Sequence, residues 1–160
     1  MILKQTTILK QFITLTLALM LAGCGIKPNA HSGGDGQRNE AQDLILEEWV
    51  TDPDGVNYQK GDRTDWKKIM LDRPGTLFVE AAFDNKNAAV AVGLYNKYGL
   101  RLIEKMKKRG STRHVRFEID INQGKYFVSI QCKTSSDNSE YSIRASMIGT
   151  SGVGNIPRPE

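Results

Sequence analysis

From residue 66 onward the chain alternates short apolar stretches with clusters of turn residues. The clearest stretch is 113–121, where Val115, Phe117, Ile119 and Ile121 interleave with His114, Arg116, Glu118 and Asp120. A period of two sends one set to an inner face and the other to solvent, which is the signature of a half-buried strand. Comparable stretches fill 66–71, 76–83, 89–95, 100–108, 125–132 and 140–147. Between them stand Gly75, Asp84-Asn85, Asn96-Lys97-Tyr98-Gly99, Gly110-Ser111, Asn122-Gln123-Gly124 and the Ser- and Asn-rich run 135–139. Strands this short at this spacing predict an all-β chain: a single antiparallel β-sandwich of about seven to eight strands, jelly-roll-like, over 43–147. Trp66, Phe78, Leu94, Tyr126 and Val128 are expected to pack between its sheets. Residues 40–50 suit a short helix or a short strand.

The first 23 residues follow another pattern. Lys4 and Lys10 give a positive start, 12–22 is a short apolar core, and small Gly23 precedes Cys24. That order describes a secretory signal peptide, with a core too short to span a bilayer. Leu21-Ala22-Gly23-Cys24 resembles the lipobox of bacterial lipoproteins at all four positions. The resemblance implies cleavage before Cys24 and acylation of that residue, with two or more chains giving stable anchoring. Gly25, where Asp is associated with inner-membrane retention, implies the outer membrane, facing periplasm or cell surface. Residues 24–42, which include His31, are polar and Gly-rich and are expected to form a flexible tether; 148–160 is expected to be a flexible tail.

Composition narrows the class. With 160 residues, 39% of them hydrophobic, and two cysteines, the chain has room for one domain and cannot be a disulfide scaffold. Once Cys24 carries lipid, Cys132 is the remaining thiol, and its place in a strand alternation predicts a small buried hydrophobe. The net charge of +4 is unevenly spread: residues 101–116 hold seven cations and Glu104. If 109–112 turn a hairpin, Lys105 faces Arg116, Lys107 lies near His114, and Arg101 pairs with Asp120. Lys105, Lys107, Arg109 and Arg116 then form a candidate anion-binding patch, weighed against a solvated edge that protects against aggregation. No aromatics interleave with it, so nucleic acid is not an expected partner.

The order of elements resembles the bacterial pre-peptidase C-terminal domain, a small β-sandwich of secreted proteins. The matching residues are Gly61-Asp62 with Asp65-Trp66, Pro74-Gly75, Leu94-Tyr95 with Gly99, Gly124 with Tyr126-Phe127-Val128, and Ser139 with Tyr141 and Ile143. The resemblance spans about 39–147 and implies an accessory module without catalysis. Some members bind calcium through acids before the Leu-Tyr element, where this chain has Ala88–Gly93 and no carboxylate. Asp52-Pro53-Asp54-Gly55-Val56-Asn57 reads as a Pro-Asp-Gly turn more than as a calcium loop, since Arg63 stands where a bidentate acid belongs. Asp62 and Asp65 read as residues capping a turn at the start of a strand. One mature thiol and two histidines make no zinc set, and His114 lies among arginines without an orienting acid. The expectation is a non-catalytic, lipid-anchored envelope module without cofactor. Its partners are the membrane, through its lipid, and an anionic envelope component or another envelope protein. The alternative is an accessory or inhibitor subunit of an envelope hydrolase.

Overall fold

The computed structural model describes residues 27–148; the segments read as a signal peptide and a lipobox with Cys24, and residues 149–160, lie outside the described residues. The strands are β1 (Gln42–Asp43), β2 (Val50–Asn57), β3 (Thr64–Leu71), β4 (Gly75–Phe83), β5 (Val90–Asn96), β6 (Arg101–Lys107), β7 (His114–Ile121), β8 (Gly124–Cys132) and β9 (Asn138–Ile148). The seven strands expected from residue 66 onward are all present, each end within two residues of its expected place. They form two facing sheets, ordered β1-β3-β8-β5-β6 and β2-β9-β4-β7, and only the β1–β3 pairing is parallel. The fold is a β-sandwich.

Alternation sets the core. Leu77, Val79, Ala81 and Phe83 of β4 face Val90, Val92 and Leu94 of β5 and Val128 and Ile130 of β8. Leu94, Tyr126 and Val128 are core residues as expected, but Trp66 and Phe78 are not. On β3 the inward positions are Asp65, Lys67, Ile69 and Leu71, so Trp66 falls on the outer face, tilted against Tyr95 with ring centroids 5.0 Å apart. Phe78 is outward by the same parity, between Leu77 and Val79. The apolar side of β3 is interrupted by two charged residues, and this reverses the register that Trp66 suggests.

Residues 52–57, read as a turn, lie in β2. The turn chemistry survives as a bulge: the pairing with β9 shifts between Asp52 and Val56. Gly55, at φ +54, sits where a Cβ would strike the backbone of Ser139, and Asp52 Oδ1 accepts its N–H at 3.0 Å. At 96–100 the expected turn is present. Asn96 Oδ1 accepts the N–H groups of Tyr98 and Leu100, both at 3.0 Å, and Gly99 sits at φ +88.

The segment expected as a tether is docked from Asn29 onward. Asn29 Oδ1 accepts Arg63 N–H at 3.1 Å, Asp35 O accepts Trp66 N–H at 2.8 Å, and a 3₁₀ turn at Arg38–Glu40 leads into β1. Leu44 N–H donates to Lys68 O at 2.8 Å, continuing the cover over the β3 edge. Its polar, Gly-rich composition carries no packing signal; one buried ion pair, Asp35–Lys67, and edge pairing hold it instead. Strand directions place the loops 58–63, 84–89, 108–113 and 133–137 at one end of the sandwich, with residues 27–34. The loops 72–74, 97–100 and 122–123 form the opposite end.

Candidate functional site: an acidic pocket at the sandwich edge

β2 and β3 are neighbours at one edge of the two sheets, and the docked segment closes the gap between them. A cavity of about 270 Å³ remains there, lined among others by His31, Asp35, Asp52, Asp54, Asp62 and Asp65. Lys67 reaches the same place from the inner face of β3, and its side chain is 1% exposed. Its Nζ donates to Asp35 Oδ2 at 2.8 Å, Gln42 Oε1 at 2.9 Å and Asp52 Oδ2 at 3.0 Å, which uses all three ammonium protons. The Tyr141 hydroxyl, from β9, lies 2.9 Å from Asp65 Oδ2 and 3.2 Å from Asp52 Oδ2. One ligand oxygen from each of Asp35, Asp52 and Asp65 falls within 4.8 Å of the others.

Of the four carboxylates, Asp35 and Asp52 hold the buried cation and Asp62 and Asp65 do not, and their electrostatics differ accordingly. Burial works against the charge of Asp52, but Lys67, the Gly55 N–H and Tyr141 outweigh it and hold the carboxyl below its ordinary range. Burial also works against the Lys67 ammonium, yet Asp35 and Asp52 raise it above the usual lysine value. Asp35 is raised, since burial outweighs its bond to Lys67. Burial and the charges of Asp35 and Asp62 push Asp65 up to about 9. Burial, opposed in part by Asp65 and reinforced by the remaining acids, pushes Asp62 up to about 6. Burial and the nearby Asp65 likewise raise the Tyr141 hydroxyl well above its ordinary range.

Asp62 and Asp65 are 6% and 1% exposed, and the Oδ1 atom of each is buried without a hydrogen-bond partner. Such an oxygen carries its full desolvation penalty unless a proton or a cation meets it. The candidate ligands Asp35, Asp52, Asp62 and Asp65 offer carboxylate oxygens, without sulfur and with one imidazole, His31, in the lining, a set that fits a hard divalent cation such as calcium and not zinc. The spacing of Asp62 and Asp65, three apart before an apolar strand, is the trace this pocket leaves in sequence. Lys67 and Asp35 leave none, because their pairing is long-range.

The expected anion patch does not assemble. β6 and β7 are edge strands of different sheets, so 109–112 turns no hairpin between paired strands and Lys105 does not face Arg116. Lys107 is buried and donates to Lys86 O at 2.9 Å and Ala88 O at 2.8 Å; burial holds its pKa below the usual value. Arg109 pairs with buried Asp137 at 2.8 Å, and Arg116 pairs with Glu80 at 2.6 Å. Lys105 is exposed. Arg101 pairs with Glu104 at 3.0 Å, and Asp120 accepts from Thr76 at 2.6 Å instead. His114 does have an acid beside it, with Nδ1 3.3 Å from Glu80 Oε1, but Arg116 and Arg144 share that carboxylate. Ser142, a strand away, bonds to Thr51 at 2.9 Å. Cys132 is 3% exposed, and burial pushes its thiol up to about 12, as befits a small hydrophobe.

No protein-family model matches this sequence, and no curated protein matches it. Among solved structures, the pre-peptidase C-terminal domain of a collagenase from Bacillus anthracis is similar at a TM-score of 0.55 and 12% identity, over 66% of this chain and 93% of that one. A family 35 carbohydrate-binding module from an environmental isolate is similar at 0.43 and 11% identity, over 68% and 85%. The mitogen of Yersinia pseudotuberculosis is similar at 0.41 and 15% identity, over 68% and 92%. With the collagenase domain, this chain shares its β-sandwich fold.

Proposed function

We propose that this chain is a non-catalytic module of the bacterial cell envelope. In this reading it is lipidated at Cys24 and held at the outer membrane, and a hard divalent cation in the acidic pocket fastens its N-terminal segment to the sandwich. One observation carries the pocket's role. Two buried carboxylate oxygens, Asp62 Oδ1 and Asp65 Oδ1, have no partner, in a cavity whose other wall is the docked segment at His31–Asp35. A cation between them joins β3 to the chain that leads back to Cys24. Lys67 already supplies one positive charge to that junction, and four carboxylates leave room for two more. A cation held between β3 and the docked segment makes the pocket a clamp. The Leu21-Ala22-Gly23-Cys24 box supports the anchor.

Thermal unfolding of the mature protein in calcium and in chelator tests the clamp. Saturating calcium, at about 100 times its dissociation constant, is expected to stabilise by about 2.7 kcal/mol. Asp62→Asn and Asp65→Asn are expected to lose that increment. Identical melting of the wild type in calcium and chelator would refute the clamp. Anchoring is tested by Cys24→Ser, which should leave an unprocessed precursor.

A further inference from the structure

We propose that the end of the sandwich from which the chain leads back to Cys24 is a docking face for an anionic bilayer surface. The proposal rests on the anchoring reading above and goes beyond it by fixing which end of the domain faces the membrane.

The first argument is chain length. The first bond to the sandwich is made by Asn29, so five residue steps, at most about 18 Å, separate the lipidated position from the folded body. A tether over 24–42 would let either end approach the bilayer; a link of five residues favours the end at which the chain docks. The chain leaves beside the 58–63 loop, where Asn29 holds the backbone of Arg63. That end is held within about 18 Å of the bilayer, and the opposite end stands about 25 Å farther along the sandwich, one strand length away.

The second argument is charge. The five segments at the near end (27–34, 58–63, 84–89, 108–113 and 133–137) hold eight lysines and arginines against three carboxylates. Two of those carboxylates, Asp62 and Asp137, are buried. Asp84 is the exposed one, with Asp54 and Glu140 set back on strands. The far end carries less: its loops 72–74, 97–100 and 122–123 hold Arg73 and Lys97 against Asp72, with Arg38 and Lys125 beside them and Glu47 and Glu48 on the neighbouring segment. Cations are thus concentrated at the end that a lipid at Cys24 holds near the bilayer. Lys60, Lys86, Lys108 and Arg113 are exposed there, and the loops carrying them are cross-braced. Gly110 N–H donates to Lys86 O at 2.9 Å, and Arg109 joins Asp137 across to 133–137. A rigid cationic face near the bilayer attracts anionic headgroups, and with a lipid chain it makes the two-signal anchor that binds a membrane firmly.

The test uses the mature protein purified from membranes and reconstituted in vesicles of neutral lipid, with and without phosphatidylglycerol. Intact mass reports acylation independently. A fluorophore is placed at Gln59→Cys near the docking face or at Gln123→Cys at the far end. Buried Cys132 does not compete for the label. Quenching by spin-labelled headgroups is expected at position 59 in anionic vesicles and not at position 123. The variant Lys60→Gln/Lys86→Gln/Lys108→Gln/Arg113→Gln should remain on the vesicles through its lipid but lose the difference, each charge weakening docking about fivefold. High salt should act in the same direction. Equal quenching at the two positions, stronger quenching at 123 beside exposed Tyr98 and Leu100, or indifference to phosphatidylglycerol would overturn the docking face while leaving the anchor intact. A mass without acyl chains would overturn the anchor, and the orientation with it.

Discussion

Lys67 is the residue on which the acidic pocket turns. A fully buried ammonium is tolerated because it meets three acceptors at hydrogen-bond distance, two of them carboxylates. Lys67→Met keeps the volume and strands Asp35 and Asp52 in the interior. It is expected to destabilise by about 3–5 kcal/mol in urea denaturation, the usual consequence of removing one partner from a buried pair. The pH dependence follows from the carboxyls beside it. Asp65 and Asp62, raised to about 9 and about 6, keep protons in the folded state that the unfolded chain releases above pH 4. In chelator, stability should therefore fall as pH rises from about 4 toward 9, through both acids up to about 6 and through Asp65 alone above it. Asp52, held low, opposes this only in acid: its contribution is present above pH 4 and disappears as pH falls through its folded value. The Lys67 contribution is complete below its unfolded value and disappears only as pH rises through its raised one. Melting temperatures across pH 5–8.5 should show the fall in the wild type and a flatter profile in Asp65→Asn. Calcium, competing with the Asp65 proton, should flatten it as well.

At the scale of elements, β3 is the strand whose inner face is divided. Its far half carries Ile69 and Leu71 into the core, and its near half carries Asp65 and Lys67 into the pocket. Trp66 is left on the outer face against Tyr95, whose ring lies over Gly93. Trp66→Ala should therefore cost about 1–2 kcal/mol, the scale of a half-buried aromatic pair. Leu94→Ala, inside the sandwich with no exposed surface, should cost about 3–4 kcal/mol. Equal losses in the two variants would place Trp66 back in the core. The bulge in β2 gives a further check. Gly55→Ala meets both a left-handed backbone and the Ser139 carbonyl, so it should destabilise by about 1–3 kcal/mol, and it also moves Asp52 away from Lys67.

For the whole molecule, the important feature is the join between the folded body and the chain that leads to Cys24. Asp35 holds residues 27–42 to the sandwich through Lys67 and through its own carbonyl on Trp66. Asp35→Asn weakens the first of these bonds and leaves the two sheets intact. Limited trypsin digestion should then cut after Arg38 several-fold faster than in the wild type, with the 43–148 body surviving. A variant as resistant as the wild type would show that β1 alone holds the segment. Adding chelator to the wild type should shift it in the same direction if a cation shares the clamp.

The strands from residue 66 onward were legible because strand periodicity is a local property. Val115 to Ile121 alternate whatever the rest of the chain does, and turns such as Asn96–Gly99 close through their own side chains and a Gly with positive φ. The buried Cys132 was legible for the same reason. What the sequence could not specify is pairing at a distance. Lys105 to Arg116 look like one hairpin, yet β6 and β7 close opposite sheets, so the cations between them meet Asp137, Glu80 and backbone carbonyls instead of each other. Residues 27–42 look like a tether because nothing local buries them; their partners stand 25 to 34 positions away, in Arg63 and Lys67. The pocket was hidden in the same way. Asp35, Asp52, Asp62 and Asp65 are four unremarkable loop and strand residues until β2, β3 and the docked segment bring them to one cavity. Sequence alone determined which segments become strands and where they turn. Tertiary structure decided which charges are buried, because burying a charge requires a partner, and here the partners come from separate sheets.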